Sequence, residues 1–171
     1  MKTTRILFAA FAVVAASIAS AQVYTQTNEA GQNRIAEIAI NGDGSLSKPH
    51  YYLTGGKGTG AGLGIQGAPT LSQDHRWLFV VNAGTNDIST FRLGPDGAQL
   101  VSRTPSRGAT PVSVTSRGSL VYVVNAGDGK IVGFHVNDNG QLSPVAGGSS
   151  RLSKAGVAPG EISFNPEGDS W

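Results

Sequence analysis

The sequence predicts an all-β fold, a β-propeller made of four-stranded antiparallel blades, because it repeats itself at a blade-like period. The pentapeptide Val-Val-Asn-Ala-Gly occurs at residues 80–84 and returns unchanged at residues 123–127, a spacing of 43 residues. Self-similarity at 40 to 50 residues, with short apolar runs between turn residues, is typical of propeller blades. Glycine accounts for 24 of the 171 residues and charged residues for only 14%. This composition suits a turn-rich all-β protein.

The apolar runs of the repeat are its clearest strands. Residues 78–81 and 121–124 contain only apolar or aromatic side chains, many of them β-branched. Unbroken runs of this kind predict strands that are buried on both faces. A blade that is sandwiched between two other blades requires such burial. The innermost strand of each unit is expected to follow a proline, at residues 70–72, 112–115 and 161–164.

Turn residues separate these strands from the next ones. Asp128-Gly129 can adopt the positive φ values of a tight hairpin. Pro95-Asp96-Gly97 and Asn139-Gly140 mark a second hairpin in their units. Leu100 and Leu142 then open a fourth, outermost strand. Each complete repeat is therefore predicted to contain four short antiparallel strands.

The first unit is shorter than the others. It matches the apolar strand at residues 23–26, the next strand at residues 35–40 and the outer turn at residues 42–46, but it has no innermost strand. The chain is thus predicted to hold about three and a half blades. An offset start suits propellers in which the last segment of the chain completes the first blade. The repeat units are expected at about residues 23–66, 67–108, 109–157 and 158–171.

The N-terminus has the pattern of a secretory signal peptide. Lys2 and Arg5 precede an apolar stretch at residues 6–16, and an Ala-Ser-Ala sequence supplies the small residues of a cleavage site. The alternative is a membrane anchor, but the stretch is shorter than the ~20 apolar residues that a spanning helix needs. We therefore predict that residues 1–21 are removed by a cut after Ala21. The mature protein is expected to be periplasmic or secreted, with no membrane attachment.

The charge of the chain gives no support for a nucleic-acid-binding protein, and its cysteine content argues against a disulfide-stabilised or lipid-anchored one. The chain has 13 Lys and Arg against 11 Asp and Glu. Two of the basic residues belong to the predicted signal peptide, so the mature protein is neutral. A neutral chain without a basic patch gives no support for nucleic-acid binding. The chain contains no cysteine, so it has neither a disulfide framework nor the lipid attachment residue of a lipoprotein.

Several motifs resemble those of a known family. Their order is Pro111-x-Ser-Val, Gly118-x-Leu-Val-Tyr-Val-Val-Asn, Ile131-x-Gly-Phe, Gly140-x-Leu and Pro159-Gly-x-Ile-x-Phe. They resemble the lactonase family of seven-bladed propellers, which includes 6-phosphogluconolactonase and carboxy-cis,cis-muconate cyclase, and the repeats are similar to YVTN-type repeats. The resemblance runs from about Val23 to the end of the chain. It implies the propeller fold, and either hydrolysis of a lactone or its formation from an unsaturated dicarboxylic acid.

The length departs from that family. Residues 22–171 number 150, about 3.5 units, whereas closed propellers usually have four to eight blades. We interpret the chain as the N-terminal half of a longer protein. The alternative is a short chain that assembles with copies of itself. A chain that really ends at Trp171 is expected to self-associate through the uncovered edges of its terminal blades.

Four apparent motifs are interpreted as structural. Residues 62–67 satisfy the pattern Gly-x-Gly-x-x-Gly, but a dinucleotide site needs a helix to follow, and Ala68-Pro69 leads into a strand, so this is a loop between blades. Gly168-Asp169-Ser170 lacks the later histidine that a lipase-type nucleophile requires. Asn41-x-Asp43-x-Ser45 lacks the glycine and glutamate of a calcium loop and is interpreted as a turn. The three histidines show no metal-ligand spacing, so neither a metal nor another cofactor is expected.

The candidate site lies where the innermost strands line the central channel and the loops that lead into them form a rim. Two positions after the prolines stand Leu71, Ser113 and Glu161, which are expected to point inward together. Basic residues are assigned to the preceding loops. They are Arg103 and Arg107 before Pro111, and Lys154 before Pro159.

These residues suit the chemistry of lactone opening. Glu161 is the candidate general base that activates water, and Arg107 is the candidate that stabilises the oxyanion. Ser113, Arg103 and Lys154 are candidate ligand-binding residues, and the expected partner is a small lactone or organic acid. The alternative for Glu161 and Arg107 is a solvated ion pair. A non-catalytic propeller that binds a small ligand or a protein at its rim is the second hypothesis that the sequence leaves open.

Overall fold

The fold consists of strands, turns and bends. The computed structural model describes residues 21–62, 64, 66–152 and 157–165, and within them there is no helix, as the repeat predicted. That part of the chain accordingly offers no helix with the length and hydropathy that crossing a membrane requires. Its strands, in chain order, are β1 Gln22–Gln26, β2 Arg34–Ala39, β3 His50–Leu53, β4 Pro69–Leu71, β5 Trp77–Asn82, β6 Asp87–Gly94, β7 Gly97–Pro105, β8 Pro111–Arg117, β9 Leu120–Asn125, β10 Lys130–Val136 and β11 Leu142–Arg151.

The strands form three antiparallel sheets, each of which corresponds to one repeat. Blade 1 is the three-stranded sheet β1-β2-β3, blade 2 has the order β4-β5-β6-β7, and blade 3 has the order β8-β9-β10-β11. The four-stranded blades, and the lack of an innermost strand in blade 1, agree with the sequence prediction. The fold is therefore a partial propeller. Residues 1–20 of the predicted signal peptide lie outside the described residues.

The second strand of blade 2 forms the centre of the core. All six residues of β5 are buried, because blade 1 covers one face of the strand and blade 3 covers the other. On the first face Leu78 and Val80 pack with Ile35 of blade 1. On the opposite face Phe79 and Val81 pack with valines of blade 3. Burying a large apolar side chain contributes about 1.5–3 kcal/mol, so this two-faced strand is a main source of stability.

The hairpins between the third and fourth strands depend on glycine. Gly97 and Gly140 have φ values of +94° and +78°, in the left-handed region that residues with a side chain rarely adopt. Gly140 has a second constraint, because a Cβ there would lie 2.6 Å from the ring of Trp77. Both hairpins were predicted from the Asp-Gly and Asn-Gly pairs, and the structure confirms them.

The prolines that precede the innermost strands are not structurally equivalent. Pro69 pairs with Val80. The repeat equivalent of Val80 is Val123, which pairs with Val114. Pro69 therefore corresponds to Val114, three positions after Pro111.

Two of these three positions come from the length of the turn between the first two strands of a blade, and the third comes from the spacing of the two prolines, which is one residue short of the period of 43. In blade 2 the paired residues Leu71 and Leu78 are seven positions apart, whereas in blade 3 the paired residues Ser116 and Val121 are five positions apart. The two extra residues move the innermost strand of blade 2 along its partner relative to that of blade 3.

The expectation that Leu71 and Ser113 occupy equivalent positions is therefore wrong. Ser113 pairs with Val124 in blade 3. In blade 2 the residue that occupies this place is Ala68, whose carbonyl accepts the N–H of Val81. The sequence prediction aligned the innermost strands of blades 2 and 3 by their prolines. That alignment is wrong because the turns that follow these strands differ in length.

The innermost strand predicted at residues 161–164 is not formed as a strand, since residues 157–165 belong to no sheet. An antiparallel ladder needs a partner, and if Gly168 corresponds to Gly118, which precedes β9, that partner would follow residue 168, outside the described residues. The segment nevertheless lies beside blade 3. The guanidinium of Arg117 donates to the carbonyl of Asn165 at 3.3 Å, and the rings of Tyr122 and Phe164 meet edge to face with centroids 5.8 Å apart.

Candidate functional site

Blades 2 and 3 meet along their innermost strands. Val114 donates its N–H to the carbonyl of Gly67 at 2.9 Å, and the hydroxyl of Thr70 donates to the carbonyl of Val114 at 2.7 Å. Further along, the hydroxyl of Ser116 donates to the carbonyl of Leu71 at 3.2 Å. These bonds form a seam between β4 and β8, which belong to different sheets. Residues at the end of the seam are thereby held by two blades.

Ser113 lies at that end of the seam. Its side chain is fully buried. The hydroxyl oxygen accepts the N–H of Ile162 at 3.2 Å and lies 3.5 Å from the carbonyl oxygen of Gly67. One hydroxyl therefore contacts blade 2 on one side and the segment 157–165 on the other.

Glu161 is held through the two peptide groups that flank it. The carbonyl of Gly160 accepts the N–H of Gln66 at 3.2 Å, and the N–H of Ile162 donates to Ser113. Glu161 itself is exposed. The structure thus brings the backbone around Glu161 next to Ser113, although residues 161–164 form no strand.

A polar cleft of about 530 Å³ opens beside Gly67, on the side of blade 1. Its walls are the end of β1 with the turn that follows, at residues 25–29, together with residues 60–62 and 67–69. The cleft flanks the edge of β1 that has no strand partner in the described structure. Gly67 belongs both to this cleft and to the contact with Ser113, so the two features adjoin.

Asn28 fixes one wall of the cleft. It has a φ of +52°, and its side-chain amide donates to the hydroxyl of Thr59 at 3.0 Å and to the carbonyl of Ala61 at 2.8 Å. Another lining residue, Gln26, has its Nε2 buried without a hydrogen-bond partner in the described residues. An unpaired buried donor costs about 1–3 kcal/mol. The side chain of Gln26 therefore stands beside the cleft with an unsatisfied donor.

Arg103 lies in the outermost strand β7, and its assignment to the loop before Pro111 is wrong. Its Nε is 3.2 Å from Oδ2 of Asp87, and its NH1 donates to the carbonyl of Gly55. The side chain of Asp87 is only 8% exposed, and its Oδ1 also accepts the side-chain amide of Asn82 at 2.6 Å. The guanidinium therefore neutralises a buried carboxylate next to the boundary between blades 1 and 2.

Arg107 lies in the turn that leads into β8, where it is exposed and has a φ of +60°. Its carbonyl accepts a hydrogen bond from Nζ of Lys130 at 2.9 Å. No ion pair joins Arg107 to Glu161 within the described residues. Lys154 lies outside those residues. Ion pairs within the described ranges include Arg34–Glu29, Arg76–Asp74 and Arg103–Asp87.

The motif that resembles a calcium loop forms a turn. Oδ1 of Asp43 accepts the hydroxyl of Ser45 at 2.6 Å and its N–H at 2.9 Å. These hydrogen bonds, the one from the side chain first, hold the pKa of the Asp43 carboxyl below its usual value. In the part of the chain that the structure describes, no group of three or more His, Asp or Glu side chains is arranged to hold a metal ion.

Sequence reasoning missed two residues near Ser113 and one in the cleft. Gln66 and Gly67 carry the backbone groups that contact Gly160 and Ser113. Gly67 has a φ of +67°, and a Cβ there would lie 2.9 Å from the Ser113 hydroxyl. The only feature of the sequence that marked Gly67 was its place as the last glycine of the Gly-x-Gly-x-x-Gly pattern. Gln26 had no signal, because a glutamine at the end of a strand is ordinarily a surface residue.

The chain matches the model of a known protein family. The model for the lactonases, described as a 7-bladed β-propeller, matches residues 23–158. A search among curated proteins found no match.

Three solved structures share the fold over less than half of their own length. A functionally unknown protein from Desulfotomaculum acetoxidans DSM 771 is 22% identical with a TM-score of 0.56, over 81% of this chain and 42% of the other. The periplasmic gluconolactonase of Pseudomonas aeruginosa is 25% identical with a TM-score of 0.55, over 70% and 34% respectively. A protein from Lactobacillus plantarum is 21% identical with a TM-score of 0.55, over 66% and 34%. Since the family model covers most of the chain, the protein belongs to the lactonase family of seven-bladed β-propellers.

Proposed function

We propose that the protein is an exported lactonase and that its complete form hydrolyses a sugar-acid lactone. The observation that carries the proposal is the exposed Glu161 beside β8, at the end of the seam between innermost strands. The family match and the similarity to a periplasmic gluconolactonase support a lactone substrate. The signal-peptide pattern supports export. The family match ends at residue 158, so the role of Glu161 rests on its position in the structure.

In the proposed reaction Glu161 acts as a general base. Its carboxylate takes a proton from a water molecule while the water oxygen attacks the lactone carbonyl. The tetrahedral oxyanion collapses, the ring C–O bond breaks, and the proton passes from Glu161 to the leaving oxygen, so that one water is added and a hydroxy acid is released. General acid–base groups contribute about 10²- to 10⁴-fold to such rates. Arg107, exposed in the turn that leads into β8, is proposed to stabilise the oxyanion.

The test uses the complete gene product and glucono-δ-lactone. Glu161→Gln keeps the size of the side chain but removes the base, so we expect kcat to fall about 100- to 10,000-fold. Asp96→Asn is the matched control, since it neutralises an exposed carboxylate in the β6–β7 turn, away from the seam. Unchanged turnover in Glu161→Gln would remove this residue from the mechanism. Failure of the wild-type protein to open any lactone would overturn the proposed activity.

The polar cleft favours a second candidate function, non-catalytic binding of a small polar ligand. Gln26 lines this cleft of about 530 Å³ and its Nε2 is buried and unpaired in the described residues, so a rotation of the side chain would offer a hydrogen-bond donor to a ligand. Calorimetric titration with gluconate tests this candidate. Binding without turnover, weakened in Gln26→Met, supports it. Equal affinity of Gln26→Met and the wild-type protein contradicts it.

A further inference from the structure

We infer that Ser113 is a positioning residue for Glu161, an inference that rests on the proposed function. Glu161 belongs to no β-ladder, so a sheet does not fix its backbone. Two hydrogen bonds anchor it instead, one from the loop before β4 and one from blade 3. Gln66 binds the carbonyl of Gly160, and Ser113 binds the N–H of Ile162, each at 3.2 Å.

These two bonds act on the two peptide units that meet at Glu161. The Gly160 carbonyl belongs to the planar unit before its Cα, and the Ile162 N–H belongs to the planar unit after it. Because peptide units are planar, only φ and ψ of Glu161 vary between them. Anchoring both units restricts both angles and thereby the direction in which the side chain leaves the backbone. The Ser113 hydroxyl is fully buried, so water does not readily replace it as the acceptor.

The fold itself does not require a hydroxyl at this place. Ala68 occupies the equivalent position in blade 2, where its carbonyl accepts the N–H of Val81. An alanine is therefore compatible with the blade architecture. The hydroxyl of Ser113 makes a contact that Ala68 does not make, and that contact is with the segment that carries Glu161.

Gly67 shapes the same contact from the other side. A Cβ at Gly67 would lie 2.9 Å from the Ser113 hydroxyl, and the φ of +67° disfavours any side chain. Glycine at this position leaves the hydroxyl room to face Ile162. Ser113 and Gly67 together form the support of Glu161.

The kinetic test compares Ser113→Ala with Ser116→Ala in the complete gene product. Ser116 is the matched control, because its hydroxyl bonds to blade 2 in the same seam and has no recorded bond to residues 160–162. We expect Ser113→Ala to lower kcat on glucono-δ-lactone about 10- to 100-fold, as small displacements of a catalytic group do, with KM nearly unchanged. In a Glu161→Gln background the same change should cause no further loss. Additive losses, or an equal loss in Ser116→Ala, would overturn the inference.

Hydrogen–deuterium exchange supplies a second test that does not depend on activity. Ser113→Ala removes the acceptor of the Ile162 N–H, so the peptide covering residues 157–165 should exchange faster in this variant than in the wild-type protein. In Ser116→Ala the same peptide should exchange at the wild-type rate. Unchanged exchange in Ser113→Ala overturns the positioning role, whatever the protein hydrolyses. If the wild-type protein opens no lactone, the proposed function fails, while the exchange result still decides whether Ser113 holds this segment.

Discussion

Asn33 and Asn82 hydrogen-bond across the boundary between blades 1 and 2, with Nδ2 of Asn33 2.9 Å from Oδ1 of Asn82 and both residues fully buried. The amide of Asn82 in turn donates to Asp87 at 2.6 Å and to Ser89 at 2.7 Å. Its repeat equivalent, Asn125, donates to one carbonyl at 3.2 Å, and its Oδ1 has no hydrogen-bond partner in the described residues. Equivalent asparagines of the repeat thus differ: Asn82 of blade 2 belongs to a polar network, whereas Asn125 of blade 3 makes one long hydrogen bond.

Asn82→Ala is expected to destabilise the protein more than Asn125→Ala. The first change removes three buried hydrogen bonds, which join Asn82 to Asn33, Asp87 and Ser89, and a typical hydrogen bond contributes about 0.5–1.5 kcal/mol. The second removes one long hydrogen bond together with an unpaired oxygen. We expect a loss of about 3 kcal/mol for Asn82→Ala and clearly less for Asn125→Ala, measured as free energies of unfolding in urea. Equal losses would show that the network adds nothing beyond the packing of the asparagine.

Gly56→Ala and Gly108→Ala are expected to destabilise the contacts between blades. A Cβ on Gly56 would lie 2.4 Å from Cγ of Asn82, and a Cβ on Gly108 would lie 2.4 Å from Cγ of Asn125. Added atoms in a packed interior cost about 1–3 kcal/mol. The control is Gly42→Ala, because nothing lies within 4 Å of a Cβ there. Thermal unfolding measures the effect, and a wild-type melting temperature for both variants would contradict these close approaches.

Deprotonation of Tyr24 makes the stability of the protein depend on pH in the alkaline range. Burial raises the pKa of Tyr24 to about 12, and the negative charge of Glu37 adds to the shift. The ordinary tyrosine pKa is near 10, so the unfolded chain loses this proton at lower pH than the folded protein does. The stabilisation that this difference in pKa provides is complete below about pH 10 and is lost as the pH rises through about 12.

The free energy of unfolding should therefore fall between about pH 10 and pH 12, and it should fall less steeply in Tyr24→Phe. Urea unfolding at several pH values measures the curve, and tyrosinate absorbance follows the titration. Tyr51→Phe is the control, because Tyr51 is 50% exposed on β3 and should leave the curve unchanged. Identical slopes for Tyr24→Phe and the wild-type protein would contradict the assignment.

The free edge of β1 leads to a prediction on association. β1 has a strand partner on one side only in the described structure, and Val23 on it is 42% exposed. Open strand edges pair with other chains. We propose that residues 22–171, expressed alone, sediment as dimers or larger species. Val23→Lys should shift them toward monomer, and Leu46→Lys, at an exposed site outside β1, should not. A sharp monomer that unfolds cooperatively would count against this proposal.

The sequence by itself determined the architecture. The apolar runs at residues 78–81 and 121–124 predicted strands buried on both faces, and the glycines of the Asp-Gly and Asn-Gly pairs predicted their hairpins. These features depend on side-chain periodicity and on φ values, which neighbouring residues decide. The 43-residue period then extended the assignment from one blade to the next, including the blade that lacks its innermost strand.

Only the tertiary structure decided which side chains meet. Ser113 contacts Ile162 49 residues away, and Arg103 contacts Gly55 48 residues away, so both contacts join different repeats. The neighbours of Ser113 depend on how far the innermost strand β4 is displaced along its partner relative to β8. A turn that is two residues longer in blade 2 sets that displacement without changing the apolar pattern of either strand. For this reason the prolines predicted the wrong equivalence for Ser113, while the strands of the three blades were placed correctly.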